Sequence, residues 1–93
     1  MATRHKDQLR RAQYELTQYM NPKSVLCYLG SAFVLDINEI ADIKQGDATN
    51  SDQVDRLITL LRKKPVVAYD ALVKALIETD QMHVLQILNG KSS

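Results

Sequence analysis

Apolar residues recur along this chain at helical spacing, interrupted by short polar segments, and the pattern predicts six helices. In the first, Thr3 is expected to cap a run to about Met20, with Leu9, Ala12, Leu16, Tyr19 and Met20 as the apolar stripe of a half-buried helix. Asn21-Pro22 is the cleanest start signal. Asparagine accepts from the free N–H groups of a first turn, and proline has no N–H to leave unpaired there. The second helix, about 22 to 30, is expected to bury Val25, Leu26 and Leu29, with Gly30 and Ser31 ending it. After the apolar connector Ala32 to Leu35, Asp36-Ile37-Asn38-Glu39 reads as a capping box, the acid at its fourth position reaching back to the cap. It opens a short third helix with Ile37, Ile40 and Ile43 facing inward and Gly46 as its stop. Asn50-Ser51-Asp52-Gln53 opens a fourth helix, whose Val54, Leu57, Ile58 and Leu61 follow the i, i+3, i+4, i+7 repeat. Pro65 breaks this run and serves as the first residue of a fifth helix. That helix buries Ala68, Tyr69, Leu72, Ala75 and Leu76 and ends near Thr79. Asp80 is expected to cap a last helix holding Val84, Leu85 and Leu88 and closed by Gly90. Short connectors make neighbouring helices roughly antiparallel. The expected fold is therefore all-α, a compact antiparallel six-helix bundle over residues 1–91, with 92–93 a tail or the start of a linker.

The chain has 93 residues, enough for one domain. A chain of this mass buries roughly 64% of its unfolded surface, so a modest core needs no metal or disulfide. Three glycines and two prolines disfavour a turn-rich β sandwich. An aromatic content of 5% with no tryptophan disfavours a platform for stacking nucleobases. The net charge of +1 is small for a chain built to neutralise many phosphates. Cys27 is the single cysteine, so no internal disulfide forms. No apolar run approaches the ~20 residues of a membrane span, and Met1 to Gln8 is too polar for a secretory signal. These features point to a soluble domain of the cytosol or nucleus.

Candidate chemistry is sparse. Cys27 lies between Leu26 and Tyr28 with no histidine near it, and reads as a small buried hydrophobe rather than a nucleophile. His5 sits in a charged segment and His83 in the first turn of the last helix. No H-x-x-x-H or C-x-x-C spacing offers a metal site, and no glycine-rich loop offers a phosphate cradle. Glu39 and Asp42 flank an exposed helix face without a cleft, a poor setting for acid–base catalysis. No enzyme activity, metal or cofactor is expected.

Charge placement is more informative. Residues 1–23 carry +3, residues 36–55 carry −5, and residues 56–64 carry +4. The near-zero total hides this segregation. At roughly 100° per residue, Arg4 and Arg11 fall opposite Leu9, Leu16 and Met20, with Arg10 to one side. Arg56 and Lys63 fall together opposite Val54 and Leu61, while Asp42 falls opposite the isoleucines of the third helix. One molecule is thus expected to show a basic surface on helices one and four and an acidic surface around helix three. The plain alternative is a set of solvated faces with local pairs such as Asp52–Arg56.

Several segments resemble the caspase recruitment domain of the death-fold superfamily. They are Leu9-Arg10-Arg11 with Leu16, Val34-Leu35-Asp36 through Glu39-Ile40, and Gln53 through Tyr69-Asp70-Ala71-Leu72. Ala75-Leu76, Glu78-Thr79 and His83-Val84 through Ile87-Leu88 are similar to the last helices of initiator-caspase prodomains. The resemblance covers nearly the whole chain. It implies the death fold with its Greek-key order and a cytoplasmic, homotypic interaction module in apoptotic or inflammatory signalling. The implied partner is another caspase recruitment domain, on a caspase, an apoptosome-type scaffold or an adaptor, or a second copy of the chain. It also implies contacts between basic and acidic faces. The matching positions are Arg10, Arg11, Arg56 and Lys63 on one side, and Asp36, Glu39 and Asp42 on the other. Three departures weaken the match. Ser51 and Asp55 stand where some members are basic, Pro65 follows two lysines where many have glycine, and the second helix supplies no acid. The runner-up function is a small helical nucleic-acid-binding domain using the basic faces of helices one and four.

Overall fold

A computed structural model describes residues 3–89, and side chains from residue 6 onward. Thr3 is the first described residue of α1; its side chain and so its expected capping role, the side chains of Arg4 and His5, and the expected stop at Gly90 lie outside what is described. Six helices are present: α1 (Thr3–Tyr19), α2 (Pro22–Ser31), α3 (Ile37–Lys44), α4 (Asn50–Leu61), α5 (Val66–Glu78) and α6 (Met82–Leu88). They form an all-α bundle with extents of 34 × 25 × 22 Å. The principal packing partner of α1 is α4, with α6 on its other side, while α2 lies chiefly on α5. The helices that follow one another across the Asn21-Pro22 break are therefore not the ones that pack most closely.

Most of the expected core is buried. Leu9, Ala12, Leu16 and Met20 of the first stripe are all inside, as are the apolar sets of α2, α4, α5 and α6. Three expected members are not: Ile37 and Tyr19 are exposed and Ile40 is half-buried. Ile37 is 81% exposed although Ile43 is only 2% exposed. Residues three apart drift by about 60° around a helix, so a row of three spans about 120° and cannot all face one way. Ile40 accordingly sits between the two, half-buried against the core. Tyr19 is 59% exposed because it lies about 100° around α1 from Met20, which completes the buried row. Cys27 is also exposed, contrary to expectation, since the helical period points it away from Val25, Leu26 and Leu29.

The start signals map closely onto the helices. The Asn21 side chain accepts from the Lys23 backbone N–H. Asp36 and Glu39 form the reciprocal capping box of α3. For α4 the box lies one residue earlier than read, with Thr49 as the cap and Asp52 as its acid. Pro65 likewise stands just before α5 rather than as its first residue.

Helix ends depart further from expectation, because two close through left-handed residues other than glycine. Gly30 lies within α2, where an added Cβ would approach Ile40 Cδ1 to 2.9 Å, so this glycine admits α3 instead of ending α2. The end is a Schellman motif. The N–H of Phe33, at φ +60, donates to the Gly30 carbonyl, and that of Val34 donates to the Leu29 carbonyl. A bulky side chain in this conformation costs on the order of 1–2 kcal/mol. The same motif closes α5. Asp80, at φ +61, donates to the Ile77 carbonyl and Gln81 to that of Leu76. Asp80 therefore terminates α5 instead of capping α6, and Gln81 precedes α6. The short polar side chain of aspartate tolerates this region better than most.

Gln81, only 5% exposed, ties two corners of the bundle together. Its Oε1 accepts from the Asn21 N–H at 2.8 Å, and its Nε2 donates to the Asn21 carbonyl at 3.4 Å and to Thr79 Oγ1 at 2.8 Å. Gln81→Ala leaves these groups without their partner and is expected to cost about 1–3 kcal/mol, measurable by chemical denaturation.

Candidate functional site

The placement of charge is set by what lies on either side of α4. On one flank, Ser51 Oγ donates to the Thr17 carbonyl at 2.9 Å. Further along, Gln13 Nε2 donates to Asp55 Oδ1 at 2.7 Å and to Thr59 Oγ1 at 3.3 Å. This register is antiparallel, so the N-terminal half of α1 lies beside the C-terminal end of α4. On the other flank, Arg56 Nη1 donates to the carbonyls of Ile43 at 3.1 Å and Gln45 at 3.0 Å. Lys64 Nζ meets Glu39 Oε2 at 2.9 Å. The register of α3 on α4 is antiparallel too, with the start of α3 at the C-terminal end of α4. Asp55 and Arg56 are consecutive but about 100° apart, so one turns to α1 and the other to α3.

Three of the four expected basic residues lie toward one end of the bundle. Arg10 and Arg11 lie on the N-terminal half of α1 and Lys63 just past the end of α4, at the same end of the bundle. All three are exposed, and none has an ion pair among the described residues. Arg11 also stands on the rim of a groove of about 260 Å³ between α1 and α6, with Ala12, Ile87 and Leu88 among its lining residues. Arg56 is set apart from this group. It holds the last carbonyls of α3, where its positive charge also opposes the negative end of the helix. It shares a second groove of about 200 Å³ with Glu39, Asp42, Ile43 and Leu60.

The three acidic residues all lie at or on α3, on a different flank of α4 from α1. Asp36 and Glu39 use one oxygen each in the capping box. Glu39 is further neutralised by Lys64, in the one ion pair among the described residues. Asp42 is exposed and has no ion pair among them. The helix-capping role of Arg56 and the Lys64–Glu39 bridge both escape a reading of the sequence, because each joins α4 to α3 and leaves no local periodic signal.

Among the described residues, no group of three or more His, Cys, Asp or Glu side chains is arranged to hold a metal ion. No described helix is long and apolar enough to cross a membrane.

No curated protein matches the chain. A family model described as the caspase recruitment domain matches residues 6–91, which takes in every helix from early α1 to the end of α6. With six helices in one bundle and that match over nearly its whole length, the chain belongs to the caspase recruitment domain family, whose members are homotypic protein–protein interaction modules in signalling.

Proposed function

We propose that this domain recruits a caspase or an adaptor into an apoptotic or inflammatory assembly in the cytoplasm, by mating oppositely charged surfaces with a like domain. One observation carries this reading: Arg10 and Arg11 stand exposed on α1, Lys63 stands exposed just past the end of α4, none of the three has an ion pair among the described residues, and Asp36, Glu39 and Asp42 stand at α3 on a different flank of α4 from α1. Two surfaces of opposite sign on different sides of one rigid block allow head-to-tail contact. Such contact is heterologous and grows as an open helix unless the rotation closes a ring. An assembly of this kind raises the effective concentration of whatever is tethered to each domain.

The residues divide the work unequally. Arg10, Arg11 and Lys63 present the positive surface. Asp42, with no cation paired to it among the described residues, contributes most on the acidic side, supported by Asp36 and by what Lys64 leaves of Glu39's charge. Arg56 positions α3 and lends the acidic surface its geometry. Charged contacts at an interface set encounter rate and specificity more than raw affinity.

The test is titration of the purified domain against a panel of other caspase recruitment domains at two ionic strengths. Raising salt from about 0.05 M to about 0.3 M shortens the range of charge–charge attraction, and the affinity for its partner is expected to fall about tenfold or more. Salt-independent binding overturns the charged-surface mechanism. Tight, salt-sensitive binding to duplex DNA in place of any family member would instead favour a nucleic-acid-binding role.

A further inference from the structure

Polar rungs run along the seam between α1 and α4. Ser51 donates to the Thr17 carbonyl, and Gln13 donates to Asp55 and Thr59. Ser51, Asp55 and Thr59 follow one another at four-residue steps, so they share one face of α4. Arg62 continues that face. It comes seven residues after Asp55, about 20° off the same row, and its backbone is still right-handed helical at φ −62, ψ −20.

The rung at Arg62 is unlike the others. In the antiparallel register set by those hydrogen bonds, Arg62 comes level with Lys6 and Arg10 of α1. Lys6 lies about 20° and Arg10 about 60° around α1 from Gln13, so both stand along the seam. Lys63 follows in the chain. No carboxylate completes this rung. Asp55 is two turns back along α4 and bonded to Gln13, and Asp7 lies about 120° around α1 from Gln13, one turn from Arg11. Arg62 has no ion pair among the described residues. Its Nε is shut off from solvent and has no hydrogen-bond partner, the one buried side-chain nitrogen or oxygen in that state among the described residues. A buried donor without an acceptor is costly and rare, and it marks a place where an acceptor belongs.

Water supplies an acceptor but leaves the like charges facing one another. A carboxylate has two oxygens and one charge, a match for a single guanidinium. A phosphate monoester brings three acceptor oxygens and a charge of about −1.5 to −2, which suits a rung with two guanidinium and two ammonium groups. We infer that this end of the α1–α4 seam binds a phosphate group, with Arg62 as its anchor and Lys6, Arg10 and Lys63 as the surrounding cations. The ligand class is a phosphate monoester, free in solution or carried on a lipid headgroup.

Two titrations of the full chain at fixed ionic strength test the inference, one with inorganic phosphate and one with vesicles of phosphatidic acid in phosphatidylcholine. Inorganic phosphate is read by the NMR signal of the Arg62 Nε–H, and the vesicles by flotation. A saturable shift with a midpoint on the order of 1 mM or lower supports a site open to free phosphate. Flotation with phosphatidic acid but not with phosphatidylcholine alone supports a headgroup as the source. Absence of both overturns the site. Arg62→Met keeps an apolar stem and removes the unpartnered donor, so the melting temperature without ligand is expected to stay level or rise while binding is lost. Arg62→Lys keeps the charge without the planar fork, and is expected to weaken binding about fivefold or more. Lys44→Gln removes an exposed cation at the other end of α4 and is expected to leave binding unchanged. If Lys44→Gln weakens binding as much as Arg62→Met, or if Arg62→Met binds like the wild type, attraction is diffuse and the site is overturned. That failure leaves docking between like domains untouched, because the phosphate site does not rest on it.

Discussion

Replacing Arg10 and Arg11 together by glutamate is expected to weaken association with a like domain by about a hundredfold or more, while the melting temperature falls by no more than about 8 °C. Both side chains are exposed and lack ion pairs among the described residues, so folding uses them little. The modest stability loss comes from α1 itself. Arg11 lies one turn from Asp7 and one turn from Glu15, and reversing it turns two weak attractions into repulsions worth a few tenths of a kcal/mol each. At a mated interface the same reversal sets glutamate against Asp36 and Asp42. Juxtaposed like charges there cost several kcal/mol, and about 2.8 kcal/mol is already a hundredfold. Calorimetric titration paired with a thermal melt separates the two effects. Arg56→Glu is a poorer probe, because it also removes the donor to the Ile43 and Gln45 carbonyls, so weaker binding would be confounded with a loosened α3.

The largest expected loss of stability is at Leu57. This residue is fully buried on α4, the helix that packs against α1, α2 and α3. Leu57→Ala removes its burial and leaves a cavity that three surrounding helices cannot all close at once. The expected cost is about 2–5 kcal/mol, a large part of the stability of a small domain. For a chain of this length that corresponds to a melting temperature lower by roughly 10–30 °C, read by circular dichroism. A loss below about 1 kcal/mol would mean that α4 is not the wedge its position implies. Partner binding should fall with the folded fraction, whereas the double arginine variant loses binding while still folded.

The elements legible in the sequence were those governed by local geometry. The buried sets of α4 and α5 follow helical spacing through their whole length, and Asn21 and Asp36 satisfy backbone N–H groups within their own first turns. The family resemblance drew on the same patterns and holds over residues 6–91. Ile37 shows where spacing fails: a three-residue step repeated twice drifts around the helix, and only the packed neighbour determines which isoleucine is inside. Asp80 reads equally well as a beginning or an end until the Gln81 to Leu76 hydrogen bond is seen. Gln81 carried no signal, since its partner Asn21 is sixty residues away. The candidate site was half legible. The charged segments were plain, but which flank of α4 each occupies depends on tertiary register, and that register turns Arg56 toward α3, away from Arg10 and Arg11 on α1.

The most direct measurement is a charge-swap cycle between two copies of the chain, one bearing Arg11→Glu and the other Asp42→Arg. Alone, each variant is expected to associate weakly, because its altered surface meets an unaltered surface of the same sign. Mixed, the two altered surfaces are again opposite in sign, and the pair is expected to bind about tenfold or more tighter than either variant binds itself. A mixture no tighter than its components would contradict the claim that these two surfaces mate.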